Sequence, residues 1–305
     1  MSTRGRAGAR RVVIGPLVQS PPHLPRRAAL VPGRGRRIEN IASHWVERLS
    51  APFGLWRFKR LALERRDVEL RDLAQAFAGY RVLLLTDPHY SAVVPRWWIA
   101  DAVAAGLKLE PDLILLGGDF VSHSPRYVTG LTGLLRPLTA PDGVFYVLGN
   151  HDHYVGAELV RGALGEARLT ELRNTSVLIR RGAATLAVAG VGDLRYDVID
   201  FEAALRGVPD AVPRIVLSHD PDVFAFWPAD LRLDLMVSGH THGGQAHLPF
   251  LGPPYVPSQF GFRYLAGAVR EGDRQLYVSR GIGAITAPVR WGCPAELTLL
   301  VLHPA

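Results

Sequence analysis

Residues 81–89, RVLLLTDPH, place a short apolar run directly before an aspartate and a histidine. An uninterrupted apolar run of this length predicts a strand buried on both faces, which is typical of parallel sheets. Two further runs have the same form, DLILL at 112–116 and VFYVL at 144–148. Helical patterns at 96–107 and 127–135 separate the three runs. The alternation therefore predicts βαβαβ connectivity and a parallel sheet.

The second half of the chain carries further strand-like runs, without an internal repeat and without a second core. They lie at 186–191, 215–218, 235–238, 275–279 and 296–302. A chain of 305 residues is long enough for one large domain or two small ones. We therefore expect an α/β fold in which two sheets pack together as one domain over residues 67–305.

The composition is that of a globular chain, with 48% hydrophobic and 21% charged residues. It excludes a wholly disordered chain, a collagen and a disulfide-stapled miniprotein. The single cysteine, Cys293, excludes an internal disulfide and fits a reducing compartment, so we expect a cytoplasmic protein. No run of about 18 apolar residues is present, and the sequence therefore predicts no membrane-spanning helix.

Positive charge is concentrated at the N-terminus. Residues 1–66 hold 15 Lys and Arg against 3 Asp and Glu, whereas residues 67–305 hold 20 against 25. Residues 1–37 are rich in Arg, Gly and Pro, which predicts a disordered basic arm. Such an arm attracts the phosphates of nucleic acid or of anionic lipid, but a solubilising tail is the slightly favoured interpretation. Because no groove-reading motif accompanies the arginines, we expect no specific nucleic-acid recognition.

Residues 38–66 form a second N-terminal segment, which we expect to be amphipathic and to end in a lead-in strand. Apolar residues fall at helical spacing over 38–49, and Pro52 ends that helix. Residues 53–60, FGLWRFKR, then mix aromatic rings with cations. This segment could make peripheral contact with an anionic membrane, on its inner face, or it could dock on the body of the protein. The sequence leaves both open.

Polar side chains with metal-binding chemistry follow five of the predicted strands. Because the carboxyl ends of parallel strands form the ligand crevice of an α/β sheet, we expect these side chains at one rim. Each is weak evidence alone, since a Gly-Asp pair is usually a turn. Five of the eleven histidines occupy these positions, however, whereas a purely structural role would scatter them. The residues are Asp87, His89, Asp119, Asn150, His151, Asp152, His219, His240 and His242.

The donor set indicates which cations this rim would bind. It contains carboxylates, imidazoles and one amide oxygen, without a thiolate, which suits Mn²⁺, Fe²⁺/³⁺ or Zn²⁺ better than Ca²⁺ or Cu⁺. The side chains are too many for one tetrahedral ion. Two divalent metal ions about 3.5–4 Å apart, sharing a carboxylate, would use them all.

These motifs, in this order, resemble the calcineurin-like metallophosphoesterase superfamily. The blocks that carry the resemblance are Asp87-x-His89, Gly118-Asp119, Gly149-Asn150-His151-Asp152, His219 and Gly239-His240-Thr241-His242. The longer Gly239–Gln245 block, with Arg280-Gly281-Ile282-Gly283 and the run from Arg290 to Glu296, is similar to a bacterial YaeI- and YkuE-like branch. That branch is similar in turn to some UDP-2,3-diacylglucosamine pyrophosphatases of lipid A synthesis. The resemblance implies a two-sheet αββα sandwich.

The resemblance also implies a role for each residue. Asp87, His89 and His242 would bind one metal ion, and Asn150, His219 and His240 would bind the other. Asp119 would bridge the two ions, and a hydroxide between them would attack phosphorus in line. His151 would stand beside the phosphate and protonate the leaving oxygen or stabilise its charge. Asp152 is either a partner that orients these groups or a solvated turn carboxylate.

Two arginines near the C-terminus are the remaining candidates. Arg280 and Arg290 could hold a distal phosphate through paired hydrogen bonds, although salt-bridged surface arginines are the mildly preferred interpretation. We expect a phosphohydrolase that cleaves a phosphodiester or a pyrophosphate in a phosphorylated small molecule or a lipid-linked substrate. The alternatives are a UDP-2,3-diacylglucosamine pyrophosphatase acting at a membrane surface and a non-catalytic scaffold. The sequence does not indicate the oligomeric state.

Overall fold

The structure is a computed structural model that describes residues 27–28, 60–286 and 289–305. Apart from residues 27 and 28, the arm predicted over 1–37 lies outside the described residues. So does the predicted amphipathic segment up to residue 59. Within the described ranges, no helix combines the length and the apolar character that crossing a bilayer requires.

Fourteen strands and six α-helices are present in the described ranges. The strands are β1 (Arg27–Ala28), β2 (Leu61–Leu70), β3 (Tyr80–Leu85), β4 (Leu113–Leu116), β5 (Val144–Tyr146), β6 (Thr170–Glu171), β7 (Thr175–Arg181), β8 (Ala184–Gly190), β9 (Ile199–Asp200), β10 (Arg214–Leu217), β11 (Leu235–Ser238), β12 (Gly267–Glu271), β13 (Arg274–Val278) and β14 (Ala295–Pro304). The helices are α1 (Arg96–Leu107), α2 (Val128–Leu135), α3 (Asn150–Val155), α4 (Ala157–Glu166), α5 (Phe201–Ala204) and α6 (Val223–Phe226).

The first sheet has six strands in the order β2-β14-β3-β4-β5-β6. Strands β3, β4, β5 and β6 run parallel, so their carboxyl ends lie on one edge. Strand β14 runs antiparallel to β3, and its first residues therefore lie at that same edge. Strand β2 pairs with β14 along ten residues, from Leu61 with Ala295 to Leu70 with Pro304. The expected domain start at residue 67 thus falls inside a strand, and residues 61–66 belong to the sheet.

The second sheet also has six strands, in the order β12-β13-β11-β10-β8-β7. Strands β8, β10, β11 and β13 run parallel, while β7 and β12 are antiparallel edge strands. A separate two-stranded pairing joins β1 to β9. Two residues of the predicted basic arm are therefore hydrogen-bonded to the body.

The two sheets pack face to face between two helical layers, which confirms the αββα sandwich. Strand β4 shows how the sequence encodes this arrangement, because all four of its residues are buried. Leu113 and Leu115 point into the core between the sheets. Ile114 and Leu116 point the other way, into a core shared with the first helical layer. The continuous apolar run is thus a strand with one hydrophobic core on each face.

The predicted elements agree with the structure to within a few residues. Helix α1 and strand β11 have the predicted bounds, and the helix predicted from Tyr127 begins at Val128 after a short 3-10 turn. The third predicted strand ends at Tyr146 instead of Leu148. Each departure leaves the polar motif within a few residues of the end of its strand. The fold therefore brings the carboxyl ends of the parallel strands of both sheets to one rim.

Candidate metal centre

The rim gathers two groups of buried side chains that have the donor atoms of a metal site. The first group is Asp87, His89 and His242, and within it the ligand atoms lie within 4.8 Å of one another. The second group, Asp119, His219 and His240, meets the same limit. Seven sequence-predicted ligands thus come together, since Asn150 lies beside the second group.

In the first group the donor atoms come from both sheets. His89 Nε2 lies 3.0 Å from His242 Nε2, and His242 Nε2 lies 3.7 Å from Asp87 Oδ1. His89 follows β3 of the first sheet, whereas His242 follows β11 of the second. The group therefore forms only when the two sheets are packed together.

The second group is built in the same way. His240 Nδ1 lies 3.0 Å from His219 Nε2, and Asn150 Oδ1 lies 3.2 Å from that same nitrogen. Asn150 is the first residue of helix α3, directly after the turn that follows β5. An amide oxygen has no charge, so this residue adds a donor without adding charge repulsion.

Asp119 joins the two groups. Its Oδ2 lies 3.4 Å from His89 Nε2 and 3.4 Å from His219 Nε2. Its other oxygen, Oδ1, accepts a hydrogen bond of 2.8 Å from the backbone N–H of His151. The carboxylate is therefore fixed with one oxygen facing both groups, which is the position of a bridging ligand.

Hydrogen bonds at the far ring nitrogens orient two of the imidazoles for cation binding. His219 Nδ1 donates to the Gly117 carbonyl at 2.7 Å, and His240 Nε2 donates to the Pro257 carbonyl at 3.0 Å. The nitrogens that remain, His219 Nε2 and His240 Nδ1, therefore face each other with their lone pairs. A cation between them satisfies both, so the donor set fits a metal ion.

The charges of the rim agree with this arrangement. Burial lowers the pKa of His89, His240 and His242 well below the usual value, so these imidazoles are neutral and free to bind a cation. Burial also acts to lower the pKa of His219. The buried carboxylates of Asp119 and Asp87 outweigh that effect and raise it. The carboxylates thus favour a positive charge at this point, as a proton or as a metal ion.

Backbone conformation at the rim is strained. Five of the seven candidate ligands have a positive φ, a region that costs a residue with a side chain about 1–2 kcal/mol. Such residues persist only where the surroundings determine them, and they cluster at functional sites. The five are Asp87 (52°), His89 (46°), Asp119 (55°), His240 (70°) and His242 (53°).

Two glycines let the ligand turns approach each other. A Cβ on Gly149 would lie 2.2 Å from Asp119 Oδ1, and a Cβ on Gly239 would lie 2.2 Å from Asp87 Oδ2. Both distances are far below van der Waals contact. The glycines of the motifs are therefore required by close packing against the carboxylates, and not only by turn geometry.

His151 lies next to the metal groups without joining either. Its Nδ1 donates to the Ser122 carbonyl at 2.9 Å, which leaves Nε2 as the functional nitrogen. Its ring packs 4.9 Å from His89, 4.9 Å from His123 and 5.0 Å from Tyr154, measured between ring centroids. Burial lowers the pKa of His151. This placement is compatible with a proton donor beside a bound phosphate.

Asp152 is buried and hydrogen-bonded to backbone groups, which does not fit a solvated turn carboxylate. Its Oδ1 accepts hydrogen bonds from the backbone N–H groups of Phe120 at 2.8 Å and Val121 at 3.3 Å. Its Oδ2 accepts from the N–H of Gly149 at 3.0 Å. The carboxylate therefore ties the turn after β5 to the loop after β4, and it positions Asn150 and Asp119 relative to each other.

Arg280 and Arg290 lie beside the centre, but their donors face protein groups. Arg280 pairs with Glu64 at 2.7 Å and with Glu296 at 2.8 Å. Arg290 donates from Nε to the Gly283 carbonyl at 2.7 Å and from Nη2 to the Arg280 carbonyl at 2.6 Å. Its Nη1 also reaches the His242 carbonyl at 3.3 Å. Arg290 thus joins the loop after β13 to the turn that carries His242.

Two supporting residues were not predicted from the sequence. Ser122 Oγ lies 3.2 Å from His89 Nδ1 and holds the ring from behind. Asp222 accepts hydrogen bonds from Ser258 Oγ and the Gln259 N–H, both at 2.6 Å, and so fixes the loop that presents the Pro257 carbonyl to His240. The only signal for Asp222 was its place three residues after His219.

Comparison with known proteins places these motifs in a family. Residues 80–244 match the calcineurin-like phosphoesterase family, which is just over half of the chain. The match begins at the first residue of β3 and ends two residues after His242. It therefore contains all seven candidate ligands as well as His151.

Two curated bacterial proteins are similar to this chain over most of its length. Phosphodiesterase YaeI of Escherichia coli is 37% identical over 232 residues, which are 74% of this chain and 83% of that protein. YkuE of Bacillus subtilis, an uncharacterized metallophosphoesterase, is 31% identical over 234 residues, 75% of this chain and 81% of that protein. The similarity to the YaeI- and YkuE-like branch is thereby confirmed.

Proposed function

Because the chain belongs to the calcineurin-like phosphoesterase family and is a metal-dependent phosphoesterase, we propose that it cleaves phosphodiesters with two divalent metal ions. The observation that carries this proposal is the position of Asp119 Oδ2, 3.4 Å from a histidine nitrogen of each metal-binding group. One similar protein is named a phosphodiesterase, which supports the diester as the substrate class.

The residues of each group would hold one ion. Asp87, His89 and His242 would hold the first, and Asn150, His219 and His240 the second, with Asp119 shared between them. Two bound divalent ions neutralise phosphoryl oxygens and activate a water for in-line attack on phosphorus. We propose Mn²⁺, Fe²⁺/³⁺ or Zn²⁺, because the donors are carboxylate, imidazole and amide groups. Cys293 is buried against the His242 and Gly243 carbonyls and contributes no thiolate.

The leaving group would be handled by His151. Hydrogen bonding of Nδ1 to the Ser122 carbonyl fixes the ring with Nε2 toward the departing alcohol oxygen, and Nε2 holds a proton only when the ring is positively charged. Burial lowers the pKa of this ring, whereas the negative charge of a bound phosphate would favour the charged form. Only 8% of this residue is exposed, and the proton is therefore held out of bulk water. Asp152 acts indirectly, because it positions the turn that carries Asn150 and His151.

The arginines favour a diester over a pyrophosphate. A pyrophosphate or a monoester brings more negative charge than a diester, and free cationic side chains beside the metal ions would favour its binding. Arg280 and Arg290 were the candidates for such a contact, and in the structure their guanidinium groups meet carboxylates and backbone carbonyls. A phosphodiester carries a single negative charge, which two metal ions can neutralise without further cations.

A substrate panel on the full chain tests the proposal. The protein is stripped with a chelator and reloaded with Mn²⁺, Fe²⁺ or Zn²⁺. It is then assayed on bis(p-nitrophenyl) phosphate, p-nitrophenyl phosphate and UDP-2,3-diacylglucosamine. We expect metal-dependent turnover that is fastest on the diester. Turnover of the UDP compound alone would instead support the lipid A pyrophosphatase. Inactivity with every metal and substrate would support the non-catalytic scaffold.

A further inference from the structure

Aromatic side chains lie beside His151 at one edge of the metal centre. The His151 ring is 4.9 Å from the His123 ring and 5.0 Å from the Tyr154 ring, measured between centroids. Tyr196 continues the row, with its ring 4.8 Å from that of Tyr154. We call His123, Tyr154 and Tyr196 the aromatic wall. All three are partly exposed, whereas His151 is buried, so the wall lies between the reacting groups and solvent.

Three separate parts of the chain build the aromatic wall. His123 follows β4, Tyr154 lies in helix α3, and Tyr196 lies between β8 and β9. Asp193 Oδ1 accepts a hydrogen bond of 2.9 Å from the Tyr196 N–H, which fixes the turn that carries the third ring. His153 stacks on Tyr196 from helix α3, with ring centroids 6.2 Å apart. The rings are therefore held in place before a ligand binds, which lowers the entropy cost of binding.

Tyr154 joins the aromatic wall to the second metal-binding group. Its hydroxyl is hydrogen-bonded to the side chains of Asn150 and Tyr196. Asn150 Oδ1 faces His219 in that group, so the NH₂ group of Asn150 is the donor to Tyr154. Tyr154 therefore contacts a candidate metal ligand with its hydroxyl and packs on His151 with its ring. A phosphate bound at the metal centre and beside His151 would lie next to Tyr154.

The position of the leaving alcohol follows from these contacts. His151 Nδ1 is bonded to the Ser122 carbonyl, so the opposite nitrogen, Nε2, faces the leaving oxygen. The carbon atoms bonded to that oxygen extend past the His151 ring. This ring is flanked by His89, which belongs to the first metal-binding group, and by His123 and Tyr154. The rest of the alcohol therefore lies against the two rings of the aromatic wall.

The chemistry of the aromatic wall indicates which kind of alcohol fits. Tyrosine rings present flat, neutral surfaces, on which another planar ring packs by offset stacking or by edge-to-face contact. The Tyr154 hydroxyl is already bonded to Asn150 and Tyr196, so this residue offers ring surface instead of a free hydrogen-bonding group. A saturated ring of the same size buries a similar apolar area but lacks the attraction between two aromatic rings. The wall therefore favours an alcohol with an aromatic ring.

We propose that the aromatic wall is a subsite for the leaving alcohol, and that the substrate is a phosphodiester whose leaving alcohol carries a planar aromatic ring. In the reaction the oxygen of water bonds to phosphorus, and the P–O bond to the ring-bearing alcohol breaks. The alcohol oxygen leaves with a proton from His151. This subsite rests on the proposed phosphodiesterase function and states which of the two ester groups departs.

A mixed diester, benzyl cyclohexylmethyl phosphate, tests the subsite on the full, metal-loaded chain. Its two alcohols are similar in size and acidity, but only the benzyl ring is planar and aromatic. Hydrolysis releases one alcohol or the other, and gas chromatography measures their ratio. Because both alcohols come from the same molecule, the ratio does not depend on how much of the protein is folded or loaded. We expect the wild type to release benzyl alcohol in about 3–10-fold excess.

Four variants separate the rings of the aromatic wall from its hydrogen bonds. Tyr154→Leu and Tyr196→Leu each remove one ring, and both should bring the ratio of the two alcohols toward one. Tyr154→Phe keeps the ring and loses the hydrogen bond with Asn150, so it should keep the wild-type ratio even where its turnover falls. Tyr127→Leu is the matched control, because it removes a partly exposed tyrosine that packs 5.1 Å from Tyr90 instead. It should also keep the ratio.

Hydrolysis of bis(p-nitrophenyl) phosphate by the same preparation reports the proposed function separately. With that activity present, four results would overturn the subsite alone. They are equal release of the two alcohols, an excess of cyclohexylmethanol, an excess of benzyl alcohol that both leucine variants keep, and a mixed diester that stays intact. An excess of cyclohexylmethanol would place the aromatic ring on the ester group that is retained. Loss of both activities would refute the proposed function, and the subsite with it.

Discussion

The two sheets contribute different chemistry to the metal centre. Loops after the first sheet supply both carboxylates and the amide, namely Asp87, Asp119 and Asn150, together with His89. Loops after the second sheet supply three imidazoles, from His219, His240 and His242. Each metal-binding group draws on both sheets. Neither sheet alone contains a complete site, so the geometry of the centre depends on how the two sheets are packed.

The loops of the two sheets meet at the metal centre, in a region that we call the joint. Hydrogen bonds across the joint hold the two sheets in this packing. The His219 ring donates to the Gly117 carbonyl of the first sheet. In the opposite sense, the backbone N–H of His240 donates to Asp87 Oδ1 at 3.0 Å. The ligands of one sheet are thus held by groups of the other. Changes at the joint should therefore cost more activity than changes within one sheet.

The largest effect is expected at the residue shared by both groups. Asp119→Asn keeps the shape of the side chain, and its oxygen can still accept the His151 N–H. It removes the negative charge that faces both groups, so we expect diester hydrolysis to fall below detection and bound metal to drop under two ions per chain. Elemental analysis and the diester assay measure this. Asp234→Asn is the control, a buried aspartate at the opposite end of β11 that should leave turnover of the folded protein intact. Full activity in Asp119→Asn would refute the shared site.

The second-largest effect on turnover is expected from removing His151, a proton donor that binds no metal. His151→Ala should lower kcat by about 10²–10⁴-fold and leave the bound metal unchanged, because the ring assists the leaving group only. The loss should be smaller for an acidic leaving group such as p-nitrophenol than for an alkyl alcohol. His153→Ala, two residues further along the same helix, is the matched control and should lose much less. An unchanged rate with an alkyl diester would refute the role.

The sequence predicted the sheet that supplies the carboxylates. It also predicted that the seven candidate ligands lie together at one rim. Runs such as 112–116 identified their strands because both faces are buried, and each ligand followed its strand within a few residues. The positive φ of Asp87 and His240 could not be predicted, since nothing in the local sequence requires it. Asp152 also remained ambiguous, because its partners Phe120 and Val121 lie some 30 residues away along the chain. Contacts made across loops are fixed by the packed sheets and leave little local pattern.

A smaller effect should follow from loosening one loop of the second sheet. Arg290 reaches the carbonyls of Gly283, Arg280 and His242 with a planar fork, and one ammonium group cannot serve loops on both sides. We expect Arg290→Lys to weaken Mn²⁺ binding and diester turnover by about 10–100-fold, with activity partly restored by excess Mn²⁺. Arg280→Lys is the matched control, because an ammonium can still pair with Glu64 or Glu296. Equal effects in the two variants would show that Arg290 does not position His242.

The smallest effect on turnover is expected within the first sheet, where Asp152 ties two loops together. Asp152→Asn keeps the volume, but an amide cannot accept on both sides. If its oxygen accepts from Phe120 and Val121, its NH₂ group points at the N–H of Gly149, and two donors then face each other in a buried place. Since a buried group that loses its hydrogen-bond partner costs about 1–3 kcal/mol, the free energy of unfolding should fall by about that amount, as urea denaturation of the metal-free chain would show. Turnover of the folded, metal-loaded variant should fall less than in Arg290→Lys, because the loops that Asp152 joins belong to a single sheet. A larger loss in Asp152→Asn than in Arg290→Lys would mean that the first sheet, and not the joint between the sheets, limits the centre.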